Sequence, residues 1–299
     1  MLTPLLLALV LLPDVVMPRP TELANLAGDS VELERQAHRL GPARLLRLLQ
    51  RPQSDKGRLA FLALRGLSLV ATQHPEVAGQ AALPLLDLLE QAGDDKLRHA
   101  LSDTLLRVCQ VLGRSLPCDE PDDLGCGGDL ASLPLRLVQL AEKPSQPVLS
   151  RSVALSALQA LPFQVWQTSS PRLFALAQRE SGPVRTTVLA ALSVLHQQAG
   201  KPELLTLATL PDDSLAAAAS QELCWPLLAH KPNAKPSAAP AAAVVPDAVL
   251  RRAREIAAGT QPMAVRLQTI ECLRATGLAQ DKALLLQLAT AAKAAKNRK

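Results

Sequence analysis

Five cysteines and five histidines are the most reactive side chains of this 299-residue chain, and their spacing limits what they can do. Cys118 and Cys126 lie in Leu116 to Asp129, an acidic, glycine-containing stretch with Pro117 and Pro121. In an exported chain, seven intervening residues allow these two to form a local disulfide that clips the stretch. In a reducing compartment they stay free thiols. Cys109, Cys224 and Cys272 fall on apolar positions of helical patterns and read as small buried core thiols. Asp119, Glu120, Asp122, Asp123 and Asp129 are hard oxygen ligands, but they lack the alternating order and terminal glutamate of a calcium loop and read as a solvated acidic loop. Zinc has no second cysteine pair, and none of His38, His74, His99, His196 or His230 has a second His or Cys four residues on. No metal and no cofactor are expected.

Catalytic spacing is equally sparse. The chain has no Gly-x-Ser-x-Gly, no His-Glu-x-x-His and no phosphate-binding Gly-x-x-x-x-Gly-Lys. Gly125 to Gly128 is too short and too acidic to cradle phosphate. The pairs Asp94-Asp95 and Asp212-Asp213 stand where helices begin, so N-capping accounts for both. The chain therefore reads as a non-enzyme.

The elements that would position any site follow one repeated pattern. Gly182 to Leu195, Gly-Pro-Val-Arg-Thr-Thr-Val-Leu-Ala-Ala-Leu-Ser-Val-Leu, recurs in degraded form along most of the chain. Arg98, Arg151, Arg185 and Arg266 each stand six residues before an equivalent small-Leu pair, and Gly57, Ala216 and Val31 occupy that place in other copies. The anchors at 31, 57, 98, 151, 185, 216 and 266 are spaced by 26, 41, 53, 34, 31 and 50 residues. Short spacings suit one helical hairpin, and the two longest need insertions, at about 113–129 and 230–246. Helix starts are marked by Ser170-Pro171, Gly41-Pro42, Lys201-Pro202 and Pro246-Asp247, with Ser170 as a capping serine. No segment sustains period-two alternation, so no sheet is expected. The periodicity predicts about seven hairpins and a terminal helix from Asp281 to Lys299.

On these Val-Arg and Ala-Leu positions the chain resembles HEAT-repeat proteins of the short bacterial type, the class that includes the phycobilin-lyase-like HEAT repeats. The resemblance covers residues 21–296. It implies an all-α, right-handed α-solenoid. It also implies that Arg98, Arg151, Arg185 and Arg266 are structural, bracing the adjoining unit. The domain reading is a leader over 1–20 and one repeat domain over 21–299.

Composition fits thin helical layers: 48% of residues are hydrophobic and only 2% aromatic, so the interior must be built from Leu, Ala and Val. With no tyrosine and only Phe61, Phe163, Phe174, Trp166 and Trp225, few rings are left to stack on bases or sugars. Net charge is +5, but Asp247 to Lys299 holds ten Lys or Arg against four Asp or Glu, a local +6, which leaves the first 246 residues at about −1. Arg251, Arg252, Arg254, Lys293 and Lys296 form the candidate basic contact surface.

Leu5 to Leu12 is an unbroken apolar run followed by the proline-rich stretch Pro13 to Pro20. It is too short for a stable transmembrane helix, and its position suits a removable leader. Export to a bacterial periplasm or envelope is the expected destination, with the cytoplasm as the alternative. Lys231 to Val245 is Pro/Ala-rich and lacks the large apolar side chains of a packed layer. The reading that emerges is a non-enzymatic protein-binding scaffold. Competing readings are a nucleic-acid-binding HEAT protein, resembling HEAT-like DNA glycosylases, and a tetrapyrrole lyase or lyase chaperone. The Arg-rich stretch Gly41 to Arg51 and the basic C-terminal unit motivate the former; scarce aromatics weigh against the latter.

Overall fold

The computed structural model describes residues 30–49, 58–115, 130–229 and 245–296. These are all-helical, with thirteen α-helices, a few short 3₁₀ turns and no strand among the described residues. The leader, the Cys118–Cys126 loop and most of the Pro/Ala excursion lie outside the described residues. No helix among the described residues is long and apolar enough to cross a membrane. The chain divides into two compact units, Met1–Thr104 and Leu105–Lys299.

In the first unit, α1 (Ser30–Leu49) is two helical segments separated at Gly41, whose φ of 68° is open to glycine but strained for other residues. Pro42 begins the second segment, as its fixed φ favours. α2 (Arg58–Gln73) packs on α1, and α3 (Pro75–Gln91) packs on both. Ala60, Ala63, Ala78, Ala81 and Ala82 are buried among Leu45, Leu64, Leu67, Leu85 and Leu86. The small side chains let helix axes approach while each fully buried leucine contributes about 1.5–3 kcal/mol. α4 (Asp95–Ser115) starts on Asp94, whose carboxylate accepts the Leu97 N–H at 2.8 Å.

The division between units falls within α4. This helix runs three residues into the stretch assigned to the insertion from about 113. A Cβ on Gly113 would stand 1.9 Å from the Ala160 carbonyl oxygen, so glycine is required there by close approach.

The second unit continues with α5 (Leu133–Glu142), α6 (Val148–Ala160), α7 (Ser170–Arg179), α8 (Gly182–Ala199), α9 (Glu203–Ala208), α10 (Asp213–Ala229), α11 (Asp247–Ala258), α12 (Met263–Thr276) and α13 (Ala279–Lys296). Each helix of the pairs α5–α6, α7–α8, α9–α10 and α11–α12 packs against its partner. Contacts also run from α6 to α8, α8 to α10 and α10 to α12, and separately from α5 to α7, α7 to α9, α9 to α11 and α11 to α13. Alternate helices therefore form two packed series. Trp166 fills the junction between α6 and α7, fully buried, with its indole N–H donating to the Leu161 carbonyl at 3.1 Å.

Ser170 departs from the sequence expectation. It is the first residue of α7, its hydroxyl makes no capping bond, and Ser169 holds the cap position. Two consecutive serines before Pro171 made the local signal ambiguous by one residue.

Candidate functional site

The four repeat arginines share one geometry. Each donates to a carbonyl at the C-terminal end of the preceding helix: Arg98 to Ala92 at 2.6 Å, Arg151 to Ala141 at 2.8 Å, Arg185 to Glu180, and Arg266 to Ala257 at 2.9 Å. The last carbonyls of a helix have no partner within it and carry the negative end of its dipole, so a guanidinium satisfies both needs. The resemblance implied bracing of the adjoining unit, whereas these bonds run to the end of the preceding helix. Arg151 does both, since it also pairs with Glu180 of the next hairpin at 2.6 Å. The hydrogen bond and charge of Arg151, with help from Arg179, hold the Glu180 carboxyl below its ordinary range despite some opposing desolvation.

A second set of arginines joins successive hairpins. Arg172 of α7 grips the Glu142 carboxylate with Nε and Nη2, and that hydrogen bond raises the Arg172 pKa. Arg179 reaches the Glu142 carbonyl at 3.2 Å. Arg252 of α11 reaches back to the α9–α10 turn, donating to the Leu210 and Pro211 carbonyls and pairing with Asp213. Gln261 also donates to Asp213. The Asp212-Asp213 pair thus divides its work. Asp212 caps α10 through the N–H groups of Ser214 and Leu215 at 3.0 and 3.1 Å, while Asp213 ties hairpins together.

These contacts alter the picture of the basic surface. Arg252 is committed to the α9–α10 turn, and Arg254 pairs at 2.6 Å with fully buried Asp281, whose other oxygen accepts from the Thr276 hydroxyl. Of the five residues grouped from sequence, Arg251 is exposed. The side chains of Lys293 and Lys296 lie outside the described residues. A run of basic residues read without its acidic partners overstated the available charge.

Cys224 and Cys272 form a disulfide between α10 and α12, with Cα atoms 5.1 Å apart and both side chains fully buried. Their core positions match the sequence expectation, but their independence as thiols does not: 48 residues separate them, and only packing brings them together. Cys109 is the free cysteine among the described residues, and burial pushes its thiol up to about 12, so it stays protonated and unreactive. Cys118 and Cys126 lie outside the described residues.

His38 and His74 meet edge to face, ring centroids 4.8 Å apart. His74 Nδ1 shares a 3.0 Å hydrogen bond with Glu76. The backbone and His74 together lower the Glu76 pKa. Residues 36 apart in sequence gave no local sign of this contact. Among the described residues, no three His, Cys, Asp or Glu side chains gather as metal ligands. An open cleft of about 260 Å³ lies in the first unit between Leu49, Leu88, Leu97 and Leu101, with the turn Gln91 to Gly93 at its mouth, and no titratable group lines it.

Large apolar side chains stand exposed on several helices, among them Leu135, Val148 and Leu286, and α10 and α12 carry three of them. Trp225 is 60% exposed, and Met263 and Leu267 are exposed one turn apart. Beside Trp225, Glu222 is half-buried, and desolvation raises its pKa. In the sequence Trp225 reads only as one of few aromatics and Glu222 only as the place before Leu223 in a repeat copy, since neither belongs to a catalytic spacing. Comparison with known proteins finds no matching family model and no curated protein that matches the chain.

Proposed function

We propose that this chain is a non-enzymatic protein-binding scaffold of HEAT-like type, its hairpins stacked within each unit as in a right-handed α-solenoid. The observation that carries this reading is the shared use of Arg98, Arg151, Arg185 and Arg266: four positions equivalent in sequence make equivalent bonds to the preceding helix end. The two packed series of helices in the second unit support it further. In such stacks each hairpin buries its apolar faces against its neighbours and leaves the outward residues for recognition. The count of about seven units expected from spacing belongs to this proposal, and the four packed helix pairs of the second unit support it.

A bacterial periplasm or envelope is the compartment we assign. The Cys224–Cys272 disulfide is compatible with an oxidising compartment and the Leu5 to Leu12 run with a leader. Arg252 and Arg254, two residues of the basic C-terminal unit that with Gly41 to Arg51 motivated a nucleic-acid surface, are engaged in internal pairs. Affinity capture at native salt from envelope extract, with the full chain as bait and crosslinks mapped onto it, tests the scaffold. A reproducible partner crosslinked to outward helix residues is the expected result. Repeated recovery of no partner, or steeply salt-dependent binding of duplex DNA instead, overturns it.

A further inference from the structure

The outward stripe of α10 is narrow and chemically specific. Ser214, Ala218, Gln221, Glu222 and Trp225 follow helical spacing along one side, while Ala216, Ala217, Ala219, Ser220, Leu223 and Cys224 are buried. Neighbouring helices flank this stripe. On one side the Ser193 hydroxyl of α8 donates to the Glu222 carbonyl at 3.4 Å; on the other, Gln221 donates to Glu271 of α12 at 2.9 Å. Ala218 keeps the floor low one turn before Glu222.

Two features stand out within it. Glu222 is half-buried, and among the described residues no Lys or Arg pairs with its carboxylate, in contrast to Glu142, Glu180, Asp213 and Asp281. Desolvation without a compensating cation is what raises its pKa. Trp225, three residues on, lies on the same side of the helix with most of its indole in solvent. A carboxylate short of a cation next to an open indole is complementary to a guanidinium, which accepts a carboxylate at its N–H edge and stacks its plane on an aromatic face. We propose that Glu222 and Trp225 form a recognition site for an arginine side chain of a partner polypeptide. The chain's net charge of +5 opposes general attraction of a cationic peptide, so binding must come from this local pairing.

The inference rests on the scaffold reading and names what the surface selects. Its test uses the full chain and two capped pentapeptides, Ser-Gly-Arg-Gly-Ser and the same sequence with neutral citrulline in place of arginine. Binding is read from Trp225 emission at the red edge, where fully buried Trp166 contributes least, and in parallel by titration calorimetry. The arginine peptide should change emission saturably and the citrulline peptide should not. E222Q, which keeps the side-chain shape and removes the buried charge, should weaken arginine binding at least about fivefold with an unchanged circular dichroism spectrum. W225L should remove the calorimetric signal by a similar factor. Equal response to both peptides, or undiminished affinity in E222Q, overturns the site. If a native partner is captured equally by wild type and by the E222Q/W225L double variant, this site fails while the scaffold stands. An arginine response with no partner in extract has the reverse meaning.

Discussion

The joint between the α5–α6 and α7–α8 hairpins and the joint between α9–α10 and α11–α12 solve the same packing problem with different means. At the first, a short connection through Trp166 leads directly from α6 to α7, and charge does the joining: Arg151 with Glu180, Arg172 and Arg179 with Glu142. At the second, the chain makes the long Pro/Ala excursion between α10 and α11, and a disulfide joins α10 to α12 alongside the Arg252–Asp213–Gln261 cluster. Longer connections cost more closure entropy, though only as the logarithm of length. A covalent tie across that connection restores what the insertion loses.

Breaking the disulfide should produce the largest effect. Chain-entropy reasoning for a 48-residue separation gives about 4 kcal/mol. Thermal unfolding of the full chain, oxidised against reduced and against C224S/C272S, should show a lower Tm in both altered forms. An unchanged Tm would mean that packing of α10 on α12 alone holds the second joint. At the first joint, R151M should cost roughly 2–3 kcal/mol, because it strips a buried helix-end carbonyl and a largely buried carboxylate of their donor while Arg179 remains to help Glu180. A loss under about 0.5 kcal/mol in denaturant titration would place that joint's strength in apolar contact instead.

Acid should also separate the joints. The Glu180 pKa is depressed in the folded state, so its stabilisation is complete above the unfolded glutamate pKa and is lost as pH falls through the lower folded value. Wild type should move towards R151M over that acid interval but stay above it, because Arg151 keeps its bond to the Ala141 carbonyl; parallel curves for the two proteins would refute the assignment. D213N at the second joint should cost about 1 kcal/mol, since its partners are partly exposed. E222Q should have the smallest effect and the opposite sign. A raised folded pKa favours the protonated form, so burial penalises Glu222 as pH rises from the unfolded towards the folded pKa and beyond. E222Q should therefore be slightly more stable at neutral pH, with the advantage vanishing in acid; a destabilised E222Q at pH 7 would reveal an internal partner for the carboxylate.

Much of the helical order was legible locally. Gly41-Pro42 and Ser181-Gly182-Pro183 break helices in the chain because glycine tolerates positive φ and proline suits a first turn, properties that need no tertiary context. The repeat arginines were equally visible as a class, although their bonds run to the preceding helix end. The surface was less legible. Arg252 and Arg254 looked available because their partners, Asp213 and Asp281, lie 39 and 27 residues away. Glu222 and Trp225 carried no signal, since half-burial of a carboxylate depends on how closely α8 and α12 flank α10.

By itself, the sequence determined the all-helical character, the helix-breaking points and the repeated placement of an arginine at the start of second helices, because each depends on backbone preference or spacing within a few turns. Tertiary structure alone decided that Cys224 meets Cys272, that two of the basic residues neutralise buried or turn carboxylates, and that Glu222, half-buried near exposed Trp225, pairs with no cation among the described residues. Those outcomes depend on distances between residues far apart in the chain, which only the packing of one helix on another sets.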